Sequence, residues 1–394
     1  MPAKAQSELD AYLIDAGKNN PQLLALFNDY MAALEKIPQV NKLPDPQLAM
    51  AYFLQPIETR LGPQRLKLSV NQSIPWFGTL NAAEDQASLD AKSKLELFEE
   101  AKSKIFHEIR SSYYSIFLTS KMIDITEQNI DILQTFRRLA MIKIENGTSS
   151  QLDDIRLEIE IGDLENQLAL MLDQIQTQWK VFDNLVNSDD SSRPDLPKDL
   201  PEIELVRSKS DLREIIQQKN HLLLKLEIES SALQAREELA NLSGKPNISL
   251  GLDYIAVGSG SNNLSGKDAL VFPKIGLSIP IYRDKYKAKV QEVVYKQVAK
   301  SHEKISKENL LDDLLESAWQ DYHDADRRIS LNLRQIELSR NALDLLEIEF
   351  SANKAPFEEI LRMDRKLLGY SLQLEKSKVD KNVAISFINY LMGK

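Results

Sequence analysis

Residues 109–130 read IRSSYYSIFLTSKMIDITEQNI, and the spacing inside this stretch decides the fold class. Ile109, Ile116, Ile123 and Ile130 recur every seventh residue. Ser112, Thr119 and Thr126 are their small polar companions, a row that Leu133 and Ala140 continue. A seven-residue apolar repeat keeps one seam of a helix turned toward a neighbour and imposes left-handed supercoiling. From Thr79 to Glu145 the chain has neither proline nor glycine. At 1.5 Å per residue, about 65 helical residues predict a rod on the order of 100 Å.

Working outward, Asn146-Gly147-Thr148-Ser149-Ser150 supplies turn residues that break the rod. A second helix follows with two rows, Ile161, Leu168, Ile175 and Phe182 beside Leu157, Leu164, Met171 and Leu185. Two long helices joined by a short turn form an antiparallel hairpin. Ser188–Pro201 is rich in proline and aspartate, has no periodicity, and reads as a linker.

The second half repeats the first. Leu315, Tyr322, Ile329, Ile336, Leu343 and Phe350 form another seven-residue row, with Ala318, Ala325 and Ser339 as small companions. Ile109 and Leu315 stand 206 residues apart, as do Ile144 and Phe350. Carried past the turn, the same offset sets Leu157, Leu164 and Leu168 on Met363, Tyr370 and Leu374. It also sets Gly147 on Asn353, the other residue type that tolerates positive φ. The register lapses where Ile175 meets Lys381. The chain reads as an internal duplication.

A short segment of period two precedes each rod. In Arg65–Ile74, Leu66, Leu68, Val70 and Ile74 share one face, Gln72 being the polar exception. Arg65, Lys67, Ser69, Asn71 and Ser73 take the other. Ile248, Leu250, Leu252 and Tyr254 alternate with Ser249, Gly251 and Asp253. Alternation of this kind marks half-buried strands. The expected domains are a first repeat at 1–187, with a helix, a β-hairpin at 46–75 and a helical hairpin at 79–187 whose tip lies near 146–150. A linker at 188–205 follows. The second repeat spans 206–394, with a helix, a β-hairpin at 246–280 and a helical hairpin at 283–391 whose tip lies near 351–356. The fold class is mainly α with a small β part.

Two strands do not make a stable sheet alone. Four amphipathic strands need either a covering layer, as in a small β-domain capping a helical bundle, or more strands. Closure of an oligomeric barrel would turn the apolar face to lipid and the polar face to a lumen. Tyr52, Phe53, Trp76, Phe77, Tyr254, Phe272 and Tyr282 stand near strand ends, where a membrane-interface belt or a core junction would use them.

Composition excludes much else. The 394 residues carry 49 Lys plus Arg against 59 Asp plus Glu, a net charge of −10, which argues against a nucleic-acid surface. With no cysteine there are no disulfides, thiolate metal sites or cysteine nucleophiles. No Gly-rich phosphate loop and no histidine–nucleophile pattern is present, and the four histidines lack metal-ligand spacing. Neither enzymatic activity nor a cofactor is expected. The longest apolar run, Leu48–Leu54, falls far short of the roughly 20 residues of a spanning helix. Ala3-Lys4-Ala5 has the form of a signal-peptidase site without an apolar stretch before it.

The order of helix, hairpin, long helical hairpin and linker, given twice, resembles the TolC-like outer-membrane efflux channels. Asn20-Pro21-Gln22-Leu23 is similar to that family's first-helix start. Ser73-Ile74-Pro75-Trp76-Phe77-Gly78 and Ser278-Ile279-Pro280-Ile281-Tyr282 are similar to its strand-to-helix junctions. Asn146-Gly147-Thr148-Ser149-Ser150-Gln151-Leu152-Asp153 is similar to its hairpin tip, whereas Asn353-Lys354-Ala355-Pro356 departs from the glycine and serine expected there. The resemblance runs from about Leu13 to Met392. It implies a homotrimer in the bacterial outer membrane, with a 12-stranded barrel continuous with a periplasmic helical tunnel. It also implies a periplasmic adaptor and an inner-membrane pump as partners. Such a channel is a passive conduit for small molecules such as drugs or metal ions. The competing reading is a soluble coiled-coil scaffold whose β-hairpins mediate assembly.

The resemblance places a gate acid at Glu359, and the 206-residue offset extends the role to Asp153. Glu358, Asp154 and Arg362 stand beside them. Ringed acids around a trimer axis attract cations. The same residues also fit plain helix capping: Ser150 through Asp153 as a capping box, and Pro356 at a first helical position ahead of two acids. An i,i+4 pair with Glu358 is the expected partner of Arg362. Gly147, Thr148, Ser150, Asn353 and Lys354 are the expected adaptor-contacting tips, and Arg65, Lys67, Asn71, Asp253 and Lys274 the expected lumen lining.

Overall fold

A computed structural model describes residues 2–145, 150–188, 196–259, 266–352 and 354–394. The order is α1 (Pro2–Asn19), α2 (Pro21–Leu34), α3 (Ile37–Val40), β1 (Gln47–Thr59), β2 (Gly62–Ile74), α4 (Thr79–Glu145) and α5 (Gln151–Val186). Then come α6 (Lys209–Lys219), α7 (His221–Leu242), β3 (Asn247–Val257), β4 (Ala269–Ser278), α8 (Arg283–Ser351) and α9 (Phe357–Leu391). The chain forms two compact units, each drawn from both halves. One holds Met1–Ala25, Phe98–His221 and Glu308–Lys394, the other Leu26–Leu97 and Leu222–Lys307.

In the first unit the heptad residues Ile109, Ile116, Ile123 and Ile130 are buried, and so are Thr119, Thr126, Leu133 and Ala140. Along α8 the seam turns slightly from its expected position. Ala318, Ala325, Asn332 and Ser339 are buried with Leu315 and Tyr322, while Ile329, Ile336, Leu343 and Phe350 are half-buried. Small residues let the neighbouring backbone come close and leave the larger side chains on the flank. Near the tips a single apolar cluster draws on all four long helices: Ile130, Leu133 and Ala140 from α4, Leu157, Ile161 and Leu164 from α5, and Phe357, Ile360 and Leu361 from α9. Leu343, Leu346 and Phe350 of α8 pack against it.

The duplication is visible in hydrogen bonds. Asn20 caps α2 by accepting from the Gln22 amide at 2.9 Å, and its Nδ2 donates to the Leu185 carbonyl at 2.8 Å. Asn220 stands at the start of α7 and donates to the Leu391 carbonyl at 2.9 Å. Leu185 and Leu391 are again 206 residues apart. Two residues on, Asn187 ends α5 at φ 54° and Gly393 follows α9 at φ 74°. A Cβ on Gly393 would meet the Lys219 carbonyl oxygen at 2.5 Å, so this left-handed position needs glycine. The offset therefore resumes after its lapse at Lys381, whose ammonium leaves the apolar row to pair with Asp326 at 2.6 Å.

The second unit carries one antiparallel sheet in the order β1-β2-β3-β4. Met50 pairs with Leu68, Leu68 with Tyr254, and Tyr254 with Leu270, so one apolar rung crosses all four strands. Both outer strands, of 13 and 10 residues, have an edge unpaired among the described residues.

Candidate functional site: the hairpin tips and the inverted sheet

At the first tip Ser150 is the extended N-cap of α5, and its side chain accepts from the Leu152 amide. Where a capping box was expected from Ser150 through Asp153, the Ser150 side chain serves the second amide of the helix rather than the third. At the second tip Pro356 is itself the N-cap and α9 begins at Phe357, one residue later than a proline at the first helical position would give. Proline offers no side-chain cap, so Glu358 and Glu359 are left to face the positive helix end.

The acids are tied down by guanidinium groups. Asp154 accepts from Arg137 Nε of α4 at 2.8 Å, and Arg137 also reaches Glu158 at 3.1 Å. Arg156 lies 3.7 Å from Asp153 on its own helix and 3.2 Å from Glu358, which links α5 to α9. Arg362 pairs with Glu359, not with Glu358 as the i,i+4 spacing suggested. Glu358 is drawn away because Arg156 reaches it from the other hairpin. Five carboxylates and three guanidiniums thus form the ion pairs of the described tip surface. Lys143 of α4 adds a further tie, donating to the Phe350 carbonyl at 2.8 Å with its ammonium over the Phe350 ring. Ser150 and Lys354 are exposed. Gly147, Thr148 and Asn353 lie outside the described residues.

Arg137, Arg156 and Lys143 were not singled out from the sequence. A signal for Arg156 was present: Arg156 and Arg362 are 206 residues apart, each three residues after a tip acid.

The sheet is built inside out. On its polar face Asp253 is 5% exposed, held by Lys67 at 2.8 Å and Lys274 at 3.2 Å. Asn71 lies over Gly251, where a Cβ would meet its Oδ1 at 2.4 Å, so the glycine makes room for the amide. Four of the expected lining residues, Lys67, Asn71, Asp253 and Lys274, therefore cluster on this face. Arg65 is set apart near the hairpin end, its side chain against Gly258. The opposite face presents Leu48 (74% exposed), Met50 (73%), Leu270 (66%) and Ile275 (71%). Phe77, Phe272 and Tyr282 are exposed near the strand ends. A water-soluble sheet buries the other side.

His107 approaches Ser386 Oγ at 3.0 Å, and burial, with the charge of Arg110, holds its pKa down to about 4, so the ring is neutral at physiological pH. Among the described residues no cluster of acids and histidines could hold a metal ion, and no helix is long and apolar enough to cross a membrane.

The family model described as outer membrane efflux protein matches residues 13–188. No curated protein matches. Among solved structures, the outer-membrane channel OprN shares 15% identity at a TM-score of 0.81, covering 98% of this chain and 89% of its own. The outer membrane protein VceC of Vibrio cholerae shares 14% at 0.80, covering 100% and 98%. The open state of the MtrE outer membrane channel of Neisseria gonorrhoeae shares 14% at 0.75, covering 98% and 88%. The chain thus resembles the TolC-like outer-membrane efflux channels in sequence over its first repeat and in fold over nearly its whole length.

Proposed function

We propose that this chain is one protomer of a homotrimeric outer-membrane channel in a tripartite efflux system, passing small molecules such as drugs or metal ions delivered by an inner-membrane pump through a periplasmic adaptor. The observation that carries the reading is the inverted sheet. Its apolar face is exposed, Asp253 is buried between two lysines on the charged face, and β1 and β4 both have open edges. In hydrocarbon every backbone group must be paired, so an open four-stranded sheet cannot remain open. Three copies, each setting its β1 edge against a neighbour's β4 edge, would close twelve strands with the Lys67–Asp253–Lys274 face inside. The number three follows the family resemblance; the need for closure follows from the sheet.

The protein would act as a conduit without catalysis. Lysines and carboxylates mixed along the barrel interior give weak ion selectivity. The tips supply the constriction: in a trimer Glu359, and Asp153 by internal symmetry, would recur around the axis. Glu358, Asp154 and Arg362 would set the local charge. Each acid also stabilises its helix start, and the two roles coexist. The exposed tip residues are the surface offered to an adaptor. A soluble scaffold would have to leave Leu48, Met50, Leu270 and Ile275 in water, a cost on the order of 25 cal/mol per Å².

Planar bilayer recording tests the reading. Purified protein added to a lipid bilayer should produce stepwise conductance with a modest cation preference. A protein that stays soluble without detergent and leaves the bilayer silent would overturn it.

A further inference from the structure

Asp364 of α9 and Asn129 of α4 meet inside the first unit, between the two helical hairpins. The carboxylate is 3% exposed and the amide 7%. Asn129 Nδ2 donates to Asp364 Oδ2 at 3.0 Å, and Asn129 Oδ1 is buried without a hydrogen-bond partner. A buried acceptor left unmade costs about 1–3 kcal/mol.

The duplication explains how an acid came to lie here without a cation. The repeat-one equivalents of Leu343, Ile360 and Asp364 are Arg137, Asp154 and Glu158, each 206 residues earlier. In repeat one the arginine neutralises both acids. In repeat two leucine takes the arginine's place and packs against the apolar cluster, so Asp364 faces an amide instead. The charged groups acting on it are acids: Glu160 of α5, which Arg365 of its own helix engages at 2.7 Å, and Glu347 of α8. From α4 it meets the neutral Asn129.

We propose that Asn129 and Asp364 form a proton-operated clasp between the two helical hairpins, closed when the carboxyl carries its proton. The acid form supplies what the pair lacks, an O–H to donate to Asn129 Oδ1 while Nδ2 continues to donate to the carboxyl. The result is a two-point acid–amide pair with no net charge. The ionised form leaves one hydrogen bond and a buried negative charge between acids. Burial raises the Asp364 pKa above the usual carboxylate value and Glu160 and Glu347 push the same way, against the Asn129 hydrogen bond. The sign follows: a group raised on folding contributes its full stability below its unfolded pKa and loses it as pH rises through the folded value. Mild acid therefore tightens α4 against α9.

The clasp lies within one protomer and does not depend on the channel reading. Hydrogen exchange on the full chain in detergent tests it, comparing about pH 8 with about pH 5 after correction for chemical exchange rates. Protection in 126–133 of α4 and 361–368 of α9 should rise about three- to tenfold in acid, while 155–158 of α5 stays unchanged. In Asp364→Asn, which carries a donor at every pH, protection should be high and independent of pH. In Asn129→Ala the rise in acid should be lost, which provides a second readout if the first variant does not fold. Flat protection in the wild-type chain, or an undiminished rise in either variant, would overturn the proposal.

Discussion

The two hairpin tips share a backbone and differ in what holds them. At the first, Arg137 bridges α4 to Asp154 and Glu158 of α5 across partly solvated distances. At the second, the equivalent positions Leu343 and Ile360 are apolar, and Ile360 is buried beside Phe357 and Leu361. Both tips share one apolar cluster; the first adds an arginine bridge between its two helices where the second adds more packing. A duplicated hairpin thus needs only complementary pairs at matching sites, and either chemistry provides them. The price of the change is Asp364, an acid whose equivalent has a cation.

The largest expected effect is on the packed tip. Ile360→Ala removes a fully buried side chain, and cavity formation there should cost about 2–5 kcal/mol. It should appear as lost hydrogen-exchange protection confined to the start of α9 and the end of α8, and an unchanged second tip would break the comparison. Next is the tie between hairpins. Arg156→Ala removes one partner from each of Glu358 and Asp153, and since exposed pairs contribute about 1 kcal/mol or less, its effect on protection should be several-fold smaller. Raising salt should loosen the first tip more than the second, because exposed charge is screened and the Arg137 bridge between α4 and α5 has only apolar counterparts in the second repeat. Arg137→Ala should sharpen the same contrast, with loss of protection confined to the first tip and removed at high salt.

The smallest effect is functional. Glu359→Gln at the proposed constriction should lower cation preference in bilayer recordings by about twofold, the scale of one charge among several in a ring. Asp153→Asn should do less, because the Asp153 side chain is the less exposed of the two, 16% against 35% for Glu359. An unchanged pore in both variants would leave these residues only their helix-start role.

The architecture was legible because it is written in periods. The Ile109–Ile130 heptad, the alternation in Arg65–Ile74 and the 206-residue offset each act through local geometry. Tertiary choices were less accessible. Whether Arg362 would take Glu358 or Glu359 depended on Arg156, 202 residues from Glu358 in sequence. The rotation of the α8 seam onto Ala325 and Asn332 depended on how closely a neighbouring helix approaches. The Asn129–Asp364 contact gives no sequence signal at all, since neither residue is unusual until both are buried together. The offset held more than was read from it: Asn187 with Gly393, and Arg156 with Arg362, were already aligned.

The central claim is that the inverted sheet is one part of a lipid-embedded barrel closed by three chains. The most direct test is the protein mass of the detergent-solubilised complex by light scattering, corrected for bound detergent. A mass of three times the 44.8 kDa chain, with solubility that requires detergent, is the predicted result. A monomer or dimer that stays soluble without detergent would contradict it.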